Sequence, residues 1–249
     1  MCTLLIAQQF VDAIPVVVLA NRDEFLDRPS LPPALRDRVP PVFCGLDARE
    51  GGTWFGINAK GLVVALTNLS VRPPDRSLRS RGLLCMDLLA LEDAMSAERA
   101  LRHLEANSYN PFNIVAIDTT TAVRAVYDSR PDVQRMPPGI YAITNWPLDS
   151  PHDSKREGLE TRVRSRLSPQ ATAAEVIDLL QNEARMHLED ADPRTSVCCH
   201  SPLYGTKASS IVLLSDTHVR MQHADGPPCS TPYENLSASL ARMMSFKIF

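Results

Sequence analysis

The sequence contains no apolar run long enough to cross a bilayer, and residues 1–25 lack the basic segment and small-residue cleavage site of a secretory signal. It also lacks a charge bias, because 26 basic residues stand against 29 acidic ones and leave a net charge of −3. A nucleic-acid polyelectrolyte is therefore not expected as a partner. These absences predict a soluble, cytoplasmic protein without a membrane span.

No linker, internal repeat or low-complexity stretch divides the chain. On length alone, one domain is as plausible as two smaller ones, since 249 residues suffice for a large core. The hydrophobic fraction of 44% is ordinary for a globular protein. Because no boundary is visible, we expect a single domain over residues 1–249.

Regularly spaced cysteines are absent as well, since the six present lie at positions 2, 44, 85, 198, 199 and 229. Cys198 and Cys199, followed by His200, resemble part of a metal site. However, no second ligand pair lies at zinc spacing, and the six histidines show no spacing typical of a dyad or ligand set. Reduced structural thiols in a reducing compartment are the simpler interpretation, so we expect no metal and no cofactor.

Apolar, β-branched segments joined by short turns predict hairpins, and helical periodicity separates them. Turns are expected at residues 58–61 and 119–120, and a long irregular connection at 188–204. Residues 28–41, which hold five prolines, are expected to be a loop. Helices are expected at residues 82–91, 96–106 (capped by Ser96), 155–167 and 171–187. Hairpins without strand–helix–strand crossovers favour antiparallel sheets, packed face to face and covered by helices.

The first hairpin places a cysteine at the end of a strand. Residues 3–7 and 16–20 are apolar and of strand length, and a turn centred on residues 12–13 would pair positions whose numbers sum to about 25. Cys2 would then face Asp23, with Cβ atoms roughly 5 Å apart. Alternation would put Asn21 and Asp23 on the face of Cys2, and Arg22 and Glu24 on the opposite face.

A cysteine next to the amino terminus can combine two chemical roles. If Met1 is removed, Cys2 carries a thiol and a free α-amine, whose pKa of ~8 is well below the ~10.4 of a lysine. The amine can therefore act as the base for its own thiol. The alternative is a small buried strand residue, which is common for cysteine.

Several motifs together give the chain a family resemblance. They are Met1-Cys2, Ala20-Asn21-Arg22-Asp23-Glu24-Phe25, Gly51-Gly52-Thr53-Trp54, Ala65-Leu66-Thr67-Asn68, Phe112-Asn113 and Tyr204-Gly205-Thr206. With these motifs the chain resembles the NRDE family, also called the transport and Golgi organisation protein 2 family, over residues 2 to about 223. That family in turn resembles the N-terminal nucleophile hydrolases of the penicillin V acylase and bile-salt hydrolase branch. The resemblance implies the α+β class, as a four-layer αββα sandwich of two antiparallel sheets.

The resemblance also implies a set of catalytic roles. Cys2 would be nucleophile and base, Asp23 would orient its amine, and Asn68 and Asn145 would stabilise the oxyanion. The string Thr144-Asn145-x-Pro147 is similar to a motif of the acylases. The implied activity is hydrolysis, or acyl transfer, of a small linear amide or thioester through an acyl-Cys2 intermediate.

Other positions carry weaker expectations of substrate binding. The acylases have an arginine three residues before this aspartate, where the present chain has Ala20. Arg22 is a substrate-binding candidate together with Asn21, although it could equally form a structural ion pair. Lys207 could replace the acylases' second arginine as a point charge, and Trp54 could line an acyl pocket or belong to the core.

A second class of function remains open at this stage. Members of the NRDE family are linked to haem trafficking and lipid metabolism, so the chain could be a non-catalytic protein that binds haem or acyl-coenzyme A. Cys2 could then be an axial thiolate ligand of haem iron, although His or Met would be equally reasonable ligands.

Overall fold

The structure is a computed structural model, and it describes residues 2–147, 150, 153–187 and 195–249. The described residues form fourteen strands and five helices. The strands are β1 Thr3–Val11, β2 Ile14–Phe25, β3 Ser30–Arg36, β4 Val42–Asp47, β5 Phe55–Asn58, β6 Val63–Asn68, β7 Phe112–Ile117, β8 Ala122–Tyr127, β9 Pro131–Arg135, β10 Gly139–Ile143, β11 Tyr204–Leu214, β12 His218–Ala224, β13 Glu234–Asn235 and β14 Lys247–Ile248. The helices are α1 Arg81–Leu88, α2 Ala94–Arg102, α3 Ser154–Arg166, α4 Ala173–Ala184 and α5 Ser237–Met244.

The contacts between residues divide these elements into two compact units. The first contains the described residues of 1–27, 138–144 and 148–249, and the second contains 28–137 and 145–147. Each unit is built on one sheet. The expectation of a single domain over residues 1–249 stays a prediction.

The sheet of the first unit has the strand order β10-β1-β2-β11-β12-β13, with β14 beside β12. Odd-numbered residues of the central strands, such as Leu5, Leu19 and Ile211, pack against Leu159 of α3 and Val176 of α4 in one buried cluster. The core of this unit therefore lies between one face of the sheet and these two helices.

The sheet of the second unit follows chain order from β3 to β9, and every neighbouring pair in it is antiparallel. Leu84 and Leu88 of α1 and Leu101 of α2 pack with Val64 and Ile114 of the sheet. Two sheets with packed helices, antiparallel except for the short β12–β14 pair, confirm the expected α+β class, and the turns expected at residues 58–61 and 119–120 are present.

Residues 28–41 differ from the expectation of a loop, because they contain strand β3. Among the described strands, β3 is the terminal strand of its sheet and pairs with β4 alone, with a register shift between Leu31 and Ala34. Pro32 and Pro33 lie inside this shift. A proline is tolerated on an edge strand because its missing N–H does not break the ladder.

The beginning of α2 also differs from the expectation, since Asp93 and not Ser96 caps the helix. The Asp93 carboxylate accepts a hydrogen bond of 2.7 Å from the Ser96 main-chain nitrogen. Among the described residues, no helix is long and apolar enough to cross a membrane.

Glycine occupies positions 51 and 52 for two different structural reasons. A Cβ on Gly52 would lie 2.3 Å from the main-chain carbon of Gly82, where α1 begins, and Thr53 donates a 3.0 Å hydrogen bond to Gly82 O. Gly51 has a φ of +70° but open space around it. Gly52 is therefore required by the close approach of two main chains.

We expect Gly52→Ala to lower the free energy of unfolding by about 3 kcal/mol, because the added methyl group must displace rigid backbone. Gly51→Ala is the matched control and should cost only about 1 kcal/mol, from its left-handed conformation. Urea titrations of the two variants measure the difference. Equal losses would contradict this role of Gly52.

His223 of β12 is a buried histidine, and its Nδ1 lies 2.9 Å from the Ser210 hydroxyl oxygen. Burial lowers its pKa to about 4, although the charge of Asp225 acts in the opposite direction. The unfolded chain therefore takes up a proton on this residue at a higher pH than the folded chain.

We expect the free energy of unfolding to fall by up to about 3 kcal/mol as the pH drops from about 6.5 to about 4, because only the unfolded state is protonated at His223 over that range. Denaturant titrations across these pH values should show a smaller loss in His223→Gln. The exposed residue His103 provides the control, since His103→Gln should keep the parental pH dependence. The same acid loss in both variants would contradict the assignment.

Candidate active site

The register of the first hairpin differs from the expected one by a single residue. The turn lies at residues 12–13 as expected, and Val11 pairs with Ile14. The register then shifts between Gln8 and Val11, where Gln9 has a φ of 47°, so Thr3 pairs with Asn21. A bulge inserts one extra residue into β1 and moves every later pair by one. The prediction that Cys2 lies directly opposite Asp23 is therefore wrong.

The bulge also changes which residues share a face. Asn21 and Asp23 follow the alternation of Leu19, which packs toward α3 and α4. Alternation along β1 places Cys2 on the other face, together with Arg22. The expectation that Asp23 shares the face of Cys2 is wrong for the same reason.

Cys2 is nevertheless close to Asp23 through the main chain. The Cys2 side chain is 8% exposed and forms no disulfide, and its Sγ lies 3.7 Å from the main-chain oxygen of Asp23. Burial raises the pKa of the Cys2 thiol, and the charge of Asp23 raises it further, while a hydrogen bond with the main chain of Asp23 lowers it. The thiol therefore needs a base before it can act as a nucleophile.

Thr206 and Lys155 contact the Asp23 carboxylate on the helix side of the sheet. Thr206 of β11 donates a 2.6 Å hydrogen bond to Oδ1, and Lys155 Nζ lies 3.8 Å from Oδ2. The Lys155 side chain is 4% exposed and that of Asp23 is fully buried. Tyr204 also donates its hydroxyl hydrogen to the main-chain oxygen of Asp23, at 2.9 Å.

Sequence reasoning missed Lys155, and no local signal could have found it, because its partner lies 132 positions away on another element. Thr206 was visible only as part of the quoted Tyr204-Gly205-Thr206 motif.

The side chain of Asn21 forms hydrogen bonds that connect β2 to two other segments. Its Nδ2 donates 3.0 Å hydrogen bonds to the main-chain oxygens of Ala184, at the end of α4, and of Val197. Both N–H donors of the side-chain amide are therefore used within the protein. Substrate binding by Asn21 stays a prediction that these contacts do not favour.

Arg22 and Lys207 place two positive charges at the end of β2. Arg22 is 4% exposed and pairs with Ala208, while Lys207 lies at a register shift in β11 and donates a 2.9 Å hydrogen bond to Leu26 O. Burial lowers the pKa of Lys207, and the charge of Arg22 lowers it further.

Asn68 and Asn145, the two strand-end asparagines, are neighbours in the second unit. Asn145 is buried, and its Nδ2 donates to the main-chain oxygen of Asn68. Ser70 in turn donates from its main-chain nitrogen to Asn145 O at 2.9 Å. These bonds fix the Asn145 amide to the segment that follows β6.

Trp54 packs against the main chain of β4. A Cβ on Gly45 would lie 2.8 Å from two carbons of the Trp54 ring, so the indole rests directly on that glycine. Packing accounts for this ring, and an acyl-pocket role stays a prediction.

The candidate residues thus fall into two groups, each described within its own unit. The first unit holds Cys2, Asn21, Arg22, Asp23 and Lys207, and the second holds Trp54, Asn68 and Asn145. Met1 and His152 lie outside the described residues. Cysteine and histidine side chains of metal-ligating type also gather in the first unit, around Cys198 and His200.

Comparison with known proteins identifies similar sequences over most of the chain. The family model described as Transport and Golgi organisation 2 matches residues 1–225. The Transport and Golgi organization protein 2 homolog of Homo sapiens is 34% identical over 236 residues, which cover 84% of this chain and 85% of the homolog.

Solved structures show the same fold at much lower identity. The N-acylethanolamine-hydrolyzing acid amidase ortholog of Caenorhabditis elegans has a TM-score of 0.59 at 13% identity, covering 86% of this chain and 94% of its own. The C2A mutant of conjugated bile acid hydrolase from Clostridium perfringens has a TM-score of 0.59 at 12% identity, covering 96% and 93%. Both have the N-terminal nucleophile hydrolase fold, and this similarity establishes the fold of the present chain.

We expect Lys155→Met to lower the free energy of unfolding by about 3 kcal/mol, because it removes the ammonium partner of a buried carboxylate. The double variant Lys155→Met, Asp23→Asn should recover most of that loss, since the carboxylate charge is then gone. Arg72→Met provides the control, because the Arg72–Asp128 pair is exposed and should be worth at most about 1 kcal/mol. Denaturant titrations measure all three variants. A double variant no more stable than Lys155→Met alone would refute the pairing.

Proposed function

The chain belongs to the Transport and Golgi organisation 2 family and has the N-terminal nucleophile hydrolase fold, and from this premise we propose that it is an acyl-transferring enzyme with Cys2 as its nucleophile. The substrate is a small linear amide or thioester, and its acyl group passes through a covalent acyl-Cys2 intermediate. The observation that carries the proposal is the position of Cys2, a buried thiol outside any disulfide, directly before central strand β1 and beside Asp23 O.

The thiol proton has a natural acceptor if Met1 is removed. Burial raises the pKa of the Cys2 thiol, so the resting form is neutral and must lose its proton as it attacks. The freed α-amine of Cys2 takes this proton while the sulfur bonds to the substrate carbonyl carbon. Removal of Met1 is therefore a requirement of the proposal.

Asp23 can orient that amine despite lying on the other face from the thiol. The nitrogen of Cys2 belongs to the main chain, which runs between the two faces of a sheet, whereas the thiol points to one of them. Thr206 and Lys155 hold the Asp23 carboxylate in place. We assign Asp23 as the residue that accepts a hydrogen bond from the amine.

The remaining roles follow from the family resemblance. Asn68 and Asn145 are proposed as oxyanion donors, because both carry a neutral amide: Asn68 is the last residue of β6, and Asn145 lies two residues after β10. When the tetrahedral intermediate collapses, the leaving amine or thiol takes the proton from the Cys2 ammonium group. Water or another acceptor then removes the acyl group from the sulfur. Arg22 and Lys207 offer positive charge to an anionic part of the substrate, and Trp54 an apolar surface.

Mass spectrometry tests the nucleophile directly. The intact mass of the purified protein reports whether Met1 is removed. Incubation with a medium-chain acyl-coenzyme A and, separately, with a p-nitrophenyl acyl ester should add a single acyl group to the peptide that begins with Cys2. Cys2→Ala should abolish the adduct, because the accepting sulfur is gone.

Two further variants make this measurement specific. Cys44→Ala removes a buried thiol of the second unit and should retain the adduct. Asn145→Ala should slow acylation by about 100-fold, since one oxyanion donor is typically worth about 3 kcal/mol in the barrier. The proposal fails if Met1 is retained in active protein, or if the acyl group is found on another residue.

The binding alternative gives a different outcome in the same preparation. A visible absorption band on addition of haemin, lost in Cys2→Ala and accompanied by no acyl adduct, would place the chain among haem-binding proteins.

A further inference from the structure

Four ligand-type side chains from three separate segments gather beyond the end of α4. His187 comes shortly after that helix, Cys198 and His200 lie in the connection before β11, and Cys229 belongs to the segment after β12. One ligand atom from each of them lies within 4.8 Å of the other three. Cys198 is buried, and the other three residues are exposed.

The separations between these atoms have the size expected for a tetrahedral metal shell. The two sulfur atoms lie 3.6 Å apart, and His200 Nε2 lies 3.6 Å from Cys198 Sγ and 3.2 Å from Cys229 Sγ. Zinc binds sulfur at about 2.3 Å and nitrogen at about 2.0–2.1 Å, so tetrahedral geometry puts two sulfurs about 3.8 Å apart and a sulfur and a nitrogen about 3.5 Å apart. The three measured separations agree with these values to within a few tenths of an ångström.

Contacts that do not involve the ligand atoms bring the three segments together. The main-chain nitrogen of Cys198 donates to Met186 O at 3.0 Å, next to His187. Arg185 donates from Nε to Pro228 O at 3.1 Å, which fixes the segment that carries Cys229. These contacts therefore hold the segments that carry the four side chains next to one another.

We propose that His187, Cys198, His200 and Cys229 form a structural zinc site. Two thiolates and two neutral imidazoles are a common shell for zinc, and four protein ligands leave no open coordination position. Zinc binding would release the two thiol protons to solvent. A disulfide between Cys198 and Cys229 needs the sulfur atoms about 2.05 Å apart and gives the two histidines no role.

The site is connected to Asp23 through Cys199 and Thr206. Cys199, between two of the ligands, donates from its main-chain nitrogen to Thr206 Oγ1 at 2.8 Å and accepts from Thr206 N at 2.9 Å. The same Thr206 hydroxyl donates to Asp23. Val197, just before Cys198, accepts a hydrogen bond from Asn21. A bound zinc ion would thus fix the segment that positions both Asn21 and Asp23.

Metal analysis of the purified, untagged chain tests the site without any assay of activity. We expect one zinc ion per chain by elemental analysis with inductively coupled plasma mass spectrometry. When Co²⁺ replaces the zinc, we expect a thiolate-to-cobalt charge-transfer band. Chelation should lower the midpoint of thermal unfolding, and added Zn²⁺ should restore it, because the ion binds the folded state preferentially.

Single substitutions locate the metal. His187→Ala and Cys229→Ala, at exposed positions, should each lose stoichiometric zinc and most of the cobalt band. His103→Ala and Cys2→Ala are the matched controls for an exposed histidine and for a thiol outside the site, and both should keep the metal. Since Cys2→Ala lacks the proposed nucleophile, zinc retention there separates this site from the proposed activity.

Two results would overturn the proposal. One is a folded parent chain that neither contains zinc nor develops a thiolate–cobalt band. The other is a tryptic peptide pair joined through Cys198 and Cys229 in protein purified under reducing conditions. If Cys229→Ala fails to fold, the cobalt spectrum of the parent chain is the test. A thiolate–cobalt band supports the zinc site, and the absence of this band overturns it.

Discussion

A carboxylate buried at the end of a sheet must replace the water it has lost; at Asp23 a hydroxyl group donates a hydrogen bond to one oxygen, and an ammonium group lies 3.8 Å from the other. Each partner is tied to a different part of the first unit. Lys155 belongs to the first turn of α3, whereas Thr206 belongs to β11 and also bonds to Cys199. The position of this one charge therefore depends on a helix, a neighbouring strand and the cysteine-rich connection together.

The bulge at Gln9 decides how the candidate site can work. Without it, the thiol of Cys2 and the carboxylate of Asp23 would project from the same face of the sheet. With it, the two side chains diverge, and only the main chain of Cys2 lies between their faces. To orient the amine, the Asp23 carboxylate must reach the main-chain nitrogen of Cys2. To contact the thiol, it would have to project from the same face of the sheet as the Cys2 side chain. The observed register thus favours one chemical role for Asp23 over the other.

Sequence reasoning found what local chemistry determines. The turn at 58–61 was predictable because Asn58 and Gly61 have strong turn preferences, and antiparallel sheets with packed helices followed from the order of hairpins and helices. The register of β1 was not predictable, because nothing in the sequence around Gln9 indicates a bulge. The pairing of Lys155 with Asp23, and the approach of His187 to Cys229, arise from long-range packing that no spacing rule contains.

The outer strand of the second unit has a consequence for how the chain behaves among copies of itself. β3 presents half-exposed leucines at positions 31 and 35, a composition that invites edge-to-edge pairing and aggregation. Pro32 and Pro33 interrupt that edge, because neither offers an N–H group to an incoming strand. The prolines therefore leave two positions of this edge without an N–H donor for an incoming strand.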